Sequence, residues 1–193
     1  MKYLLPLLLL FVSCTPAPSL APAPPPAPAP PYDAAIRDGT VIFWMGGPLV
    51  KPILRNTESD ITHAAIILYQ QGEPWVYEAV PPRVHKVPLD SYRIMMAEKA
   101  ERRHPTTWFT LQPRFNFAPS ELDHMKSYAE SQLGRHYALR GWWEQREVRG
   151  IFCSELIADI IAQSGLIESG GVHESPGSLH DKLLPTYRAR PTP

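Results

Sequence analysis

Cysteine is scarce: the chain has two, Cys14 and Cys153. If Cys14 is consumed by processing at the N-terminus, no disulfide is available, and the fold must rest on an ordinary hydrophobic core. Charge of one sign is also lacking. Nineteen basic residues balance nineteen acidic ones, and Arg102-Arg103-His104 is a short run that reads as solvated surface. Nucleic-acid binding is therefore not expected. There is no internal repeat and no glycine-rich phosphate loop, since Gly46-Gly47 fits neither nucleotide-loop spacing. His85, His104, His124, His136, His173 and His180 lie in polar or loop contexts without paired metal spacing, and His173-Glu174 lacks the second His of a zinc-protease helix. Neither a metal nor a cofactor is expected.

Proline, by contrast, is abundant, and it is concentrated near the start. After Lys2 comes an apolar run from Leu4 to Val12, broken by Pro6, then Ser13 and Cys14. This is a short positive region and an apolar region of secretory length, too short to span a bilayer. Phe11-Val12-Ser13-Cys14 resembles a bacterial lipobox, with Phe11 in place of the usual Leu and Cys14 as the lipidated residue. Cleavage by an ordinary signal peptidase is the alternative. Thr15 after Cys14 implies outer-membrane sorting, facing the periplasm, because the usual inner-membrane retention signal is Asp. Residues 1–14 are thus expected to be a signal peptide, and residues 15–32 a Pro/Ala-rich tether. Such a segment favours extended polyproline II and, at ~3.1 Å per residue, reaches about 50 Å. Residues 33–193 suffice for one domain, expected to act as a monomer.

Along that domain the pattern is α+β. Thr40 to Trp44 is β-rich, and residues 48–59 are mixed. Thr62 to Tyr69 reads as a buried strand, Gln70 to Glu73 as a turn, and Trp75 to Val80 as a second strand. Arg83 to Val87 and Thr106 to Leu111 are further strands. Leu89 to Ala97 and Ser120 to Leu133 read as helices, the second ended by Gly134. From Cys153, apolar residues recur at Leu156, Ile157, Ile160 and Ile161, a helical spacing running to Gly165. Helices packed on one antiparallel sheet are expected.

Two local arguments point to chemistry. A thiol in the first turn of a helix faces unpaired N–H groups and the positive end of the dipole, a setting that favours the nucleophilic thiolate; a small buried hydrophobe is the other reading. If the strands at 62–69 and 75–80 pair across a turn centred between Gln70 and Gln71, Tyr69 faces Gly72 and His63 faces Glu78. Opposed side chains have Cβ atoms about 5 Å apart, so carboxylate and imidazole can share a hydrogen bond. A catalytic pair and a structural bridge both fit, and a one-residue slip would separate them. Together, His63, Glu78 and Cys153 supply the groups that nucleophilic catalysis by cysteine requires. Glu155 reads as a first-turn acidic residue complementing the dipole.

The order His, Glu, Cys carries a resemblance. Asp38 to Phe43, Ser59 to Ile66, Val76-Tyr77-Glu78-Ala79, Leu133-Gly134-Arg135-His136-Tyr137 and Phe152-Cys153-Ser154-Glu155-Leu156 resemble, respectively, five segments: the opening strand, the His strand, the strand of the third triad member, the Gly-x-x-Tyr segment and the nucleophile motif. These belong to the circularly permuted branch of the NlpC-like papain-fold cysteine hydrolases, especially YiiX/YebB-like proteins. The resemblance spans roughly residues 37 to 165. Ala138 departs from it, standing where the family often has Asp, and Gly141-Trp142-Trp143 looks individual.

The resemblance implies a permuted papain-like (NlpC-type) fold, with Cys153 as nucleophile, His63 as base and then acid, and Glu78 orienting His63. It also implies Tyr137 as an oxyanion donor beside the Cys153 N–H. Trp142 and Trp143 either line a substrate groove or cap the core. The expected protein is an exported, tethered cysteine hydrolase of amide or ester bonds, bound to the membrane through Cys14. Its substrate is a cell-envelope peptide or a lipid acyl group. Lipid acyl transfer, as in the similar lecithin:retinol acyltransferase-like proteins, and a non-catalytic envelope-binding role are the alternatives. A peptide site would show polar groups at the cleft; a lipid site would show an apolar groove involving Trp44, Trp142 and Trp143.

Overall fold

The structure is a computed structural model that describes residues 36–47, 59–101, 106–138, 150–169 and 174–190. Its strands are β1 (Thr40–Gly46), β2 (Ile61–Gln70), β3 (Glu73–Val80), β4 (Arg83–Pro88), β5 (Thr106–Pro113) and β6 (Tyr187–Arg190). Among the described residues the helices are α1 (Leu89–Ala100), α2 (Pro119–Ser131), α3 (Cys153–Ala162) and α4 (Pro176–Leu183). The strands form one six-stranded sheet in the order β4-β3-β2-β1-β5-β6, with every neighbouring pair antiparallel. The fold class is therefore α+β. None of the described helices is long and apolar enough to cross a membrane.

Strand alternation sorts the core into two halves. Val41, Phe43, Ala64, Ile66, Leu68, Tyr77, Ala79 and Leu111 face one side, against Met125 and Ala129 of α2, Leu156, Ile157, Ile160 and Ile161 of α3, and Leu179 and Leu183 of α4. Ile42, Trp44, Ala65, Ile67 and Val76 face the other, against Leu89, Tyr92 and Met96 of α1. Helices thus cover both faces of the sheet. The central strand β2 is buried from Ile61 to Leu68, which is why it reads as a continuous apolar run.

The β2–β3 register differs from the expected one. The turn is Gln71-Gly72, both with left-handed backbone (φ 52° and 86°), the pattern of a two-residue type I′ hairpin loop. Gln70 pairs with Glu73 and Ile66 with Tyr77, so His63 is not directly opposite Glu78, nor Tyr69 opposite Gly72. The turn centre lies one residue further along, because Gly72 supplies the positive φ at the second loop position. That moves each partner by two residues. Side-chain direction has a period of two, so His63 and Glu78 keep a common face. The regular pairing stops at Ile66–Tyr77, and both residues lie beyond it.

The start of β1 is fixed by a close approach. Gly39 has φ 81°, and a Cβ there would lie 2.5 Å from the Phe117 ring. Its N–H donates to the Ile67 carbonyl at 2.8 Å, and Asp38 Oδ1 accepts the Tyr69 N–H at 2.6 Å. Gly39→Ala is expected to cost about 2 kcal/mol, from the left-handed backbone and the displaced ring. Urea denaturation of the variant beside the native chain measures it.

Candidate active site

His63 sits beside an irregularity of β2 in its ladder with β1. Trp44 pairs with His63, but Met45 pairs with Ile61, so the ladder skips Thr62. The Thr62 hydroxyl donates to the Gly46 carbonyl at 3.0 Å. Such bulges re-aim side chains next to functional sites. The His63 ring is buried, 7% exposed, with the Trp44 ring against it at 4.6 Å between centroids. Trp44 is itself buried, 8% exposed.

Glu78 receives the imidazole. His63 Nε2 is 2.8 Å from Glu78 Oε2. The other oxygen, Oε1, is 2.8 Å from Nε2 of His85, and the Tyr92 hydroxyl stands 3.4 Å from Oε2. Glu78 is 1% exposed. Burial alone would push its carboxyl upward; the hydrogen bonds from His63 and His85, then their charges, overcome it and hold the group at about 2.

Cys153 opens α3 and is fully buried. Burial opposes a charged His63, yet the Cys153 sulfur, by charge and hydrogen bond, and then Glu78 raise the imidazole to about 9. With Nε2 committed to Glu78, Nδ1 is the nitrogen left for the thiol. The sulfur comes from a helix on the α2/α3/α4 face, whereas Trp44 and Tyr92 belong to the α1 face.

Phe152 precedes the helix in extended conformation (φ −91°, ψ 162°), and its N–H donates to Glu155 Oε2 at 3.2 Å. Glu155 thus serves the helix start. Ser154 Oγ donates to the Glu174 carbonyl at 2.6 Å, tying the same turn to the chain before α4.

The 134–137 segment is zipped to β4. Gly134 N–H donates to the Val84 carbonyl, Val84 N–H to Arg135, and Tyr137 N–H to Pro82. This places Tyr137 against Cys153 and Phe152. Burial and the negative charge of a Cys153 thiolate push its hydroxyl above the ordinary range. His63, Glu78, Cys153 and Tyr137 are therefore gathered in one place. Trp142, Trp143 and Cys14 lie outside the described residues, as do His104 and His173.

His85 is the residue that the sequence reading set aside. The β3–β4 register would have found it, because Glu78 and His85 are direct partners. His180 is elsewhere, edge-on to Phe43 and Phe109 and paired with Asp181. Among the described residues, no group of three or more His, Cys, Asp or Glu side chains is placed to hold a metal ion. Both Glu78 oxygens are already engaged by imidazole nitrogens.

No family model matches the chain, and no curated protein does. Among solved structures it is similar to the crystal structure of the metalloprotein YiiX from Escherichia coli O157:H7, at 17% identity and a TM-score of 0.61. The match covers 82% of this chain and 98% of that one. At that identity the likeness is one of fold: the chain has a YiiX-like α+β architecture.

Glu78 is depressed from an ordinary 4.5 to about 2. Its ionisation therefore stabilises the fold above 4.5, and that stabilisation is lost as pH falls toward 2. Glu78→Gln is expected to be less stable at neutral pH and to lose less stability over that acid range. Chemical denaturation at several pH values compares the two.

Proposed function

We propose that the chain is a cysteine hydrolase of permuted papain-like (NlpC-type) fold that cleaves amide or ester bonds through Cys153, His63 and Glu78. Its proposed substrates are cell-envelope peptides or lipid acyl amides. The observation that carries the reading is the buried imidazole of His63, hydrogen-bonded to Glu78 at 2.8 Å and raised by the Cys153 sulfur. A structural His–Glu bridge alone would not account for the influence of the Cys153 sulfur on His63. The lipobox-like Cys14 and the proline-rich residues 15–32 support export and a lipid tether at the envelope, facing the periplasm.

In the first step His63 holds on Nδ1 the proton taken from the Cys153 thiol, the sulfur attacks the acyl carbon, and the carbonyl π electron pair moves onto oxygen. The Cys153 N–H, at the first position of α3, is one donor for that oxyanion, and the Tyr137 hydroxyl is the second. Protonated His63 gives its Nδ1 proton to the departing amine or alcohol, leaving a thioester. Neutral His63 then takes a proton from water, whose oxygen attacks the thioester. Collapse of that adduct releases the acid, and the sulfur and imidazole return to their starting state. Glu78 fixes the ring and favours its charged form throughout.

The fold neighbour is described as a metalloprotein. The described His, Cys, Asp and Glu side chains of this chain do not group as a metal ligand set.

The test is intact-mass detection of an acyl-enzyme on the full chain, with panels of acyl-peptide and acyl-lipid esters and amides. A thioester adduct on Cys153, absent in Cys153→Ala and formed at least about 100-fold more slowly in His63→Ala, is expected. No adduct and no turnover across both panels would leave the non-catalytic role. The reactive form carries protonated His63, so acylation is expected to fall as pH rises through about 9. A rate still climbing beyond that point would contradict the assigned proton donor.

A further inference from the structure

We propose that His85 is a positioning residue of this site: its Nε2–H, donated to Oε1 of Glu78, sets the carboxylate so that Oε2 meets His63. The inference rests on the proposed roles of His63 and Cys153 and extends them to a fourth side chain.

The geometry is specific. Glu78 and His85 are direct cross-strand partners in β3 and β4, with Cβ atoms about 5 Å apart by strand geometry. His63 reaches the same carboxylate from β2. One hydrogen bond to Oε2 would leave a glutamate free to swing about its terminal torsions. A second bond, at 2.8 Å on Oε1, fixes the plane of the carboxylate. Glu78 is buried, whereas the His85 side chain is 43% exposed. His85 is thus the solvent-side end of an imidazole–carboxylate–imidazole chain whose inner end is the thiol.

Among the described residues, the groups facing this chain are as follows, with Tyr137 beside the thiol at its inner end. Glu78 comes from β3, His63 from β2, Tyr92 from α1 and Cys153 from α3. Asp90 and Arg93 of α1 pair with each other at 3.0 Å. On β4 itself, Lys86 pairs with Glu130 on the opposite face, and Arg83 is exposed two residues before His85.

Removing the donor leaves Oε1 buried without its imidazole, which favours a neutral or turned carboxylate. His63 then loses part of the support for its charged form. The test is an NMR titration of the His63 ring in the full chain, in His85→Phe, His85→Val and His85→Gln. Phe and Val keep an apolar strand residue without a donor, so one serves if the other fails to fold. Gln restores an N–H near the position of Nε2. The native midpoint is expected near 9. The Phe and Val variants are expected to fall by about one unit, with Gln returning most of the shift.

A native midpoint near 9 that stays there in Phe and Val overturns the role of His85 alone. Equal loss in Gln and in Phe also overturns it, since the donor would then not be what matters. A native midpoint at or below the ordinary 6.5 would instead overturn the active-site reading itself.

Discussion

The structure turns on a carboxylate buried between two imidazoles. An isolated ionised carboxylate in a protein interior is too costly to keep. Glu78 is tolerated because His63 and His85 each give one oxygen a hydrogen bond at 2.8 Å. That constraint fixes the relative placement of three adjacent strands, since β2, β3 and β4 each contribute one member. It also accounts for the aromatic cover: Trp44 lies against the His63 ring and Tyr92 reaches toward the carboxylate. In so dry a setting the interactions are strong, and the loss of any one member is costly.

The sheet supplies the means of bringing a helix-borne thiol to this pair. A strand residue presents its side chain to one face, and α3 packs against the other. The ladder stops at Ile66–Tyr77, and Thr62 of β2 is left without a partner between Trp44–His63 and Met45–Ile61. These two irregularities fall within a few residues of His63. The segment 134–137, hydrogen-bonded along β4, brings Tyr137 to the same place. Backbone departures from the regular sheet are thus concentrated where chemistry is proposed, while the rest of the ladder is regular.

Much of this was legible in the residues. β2 showed as an apolar run because both of its faces are covered. α3 showed because Leu156, Ile157, Ile160 and Ile161 repeat at helical spacing and all are buried. The expected His63–Glu78 pairing stands two residues from the observed register, and the two side chains still share a face because two is the period of a strand. Gly72 carried the missing information, since a glycine at the second loop position marks a left-handed turn. α4 and β6 escaped notice. α4 has two turns and buries only Leu179 and Leu183 among its large apolar side chains. In β6 only Tyr187 is fully buried. His85 stands in a polar strand, and its role shows only in the β3–β4 register, where it faces Glu78.

The central claim is that His63 acts on the Cys153 sulfur. The most direct measurement is the rate of Cys153 alkylation by iodoacetamide at neutral pH, in the full chain carrying Cys14→Ser. The account predicts that His63→Ala slows alkylation by at least about tenfold, because the imidazolium no longer supports the reactive sulfur. Equal rates in the two chains would contradict it and leave Cys153 as a packed thiol beside a structural His–Glu–His cluster.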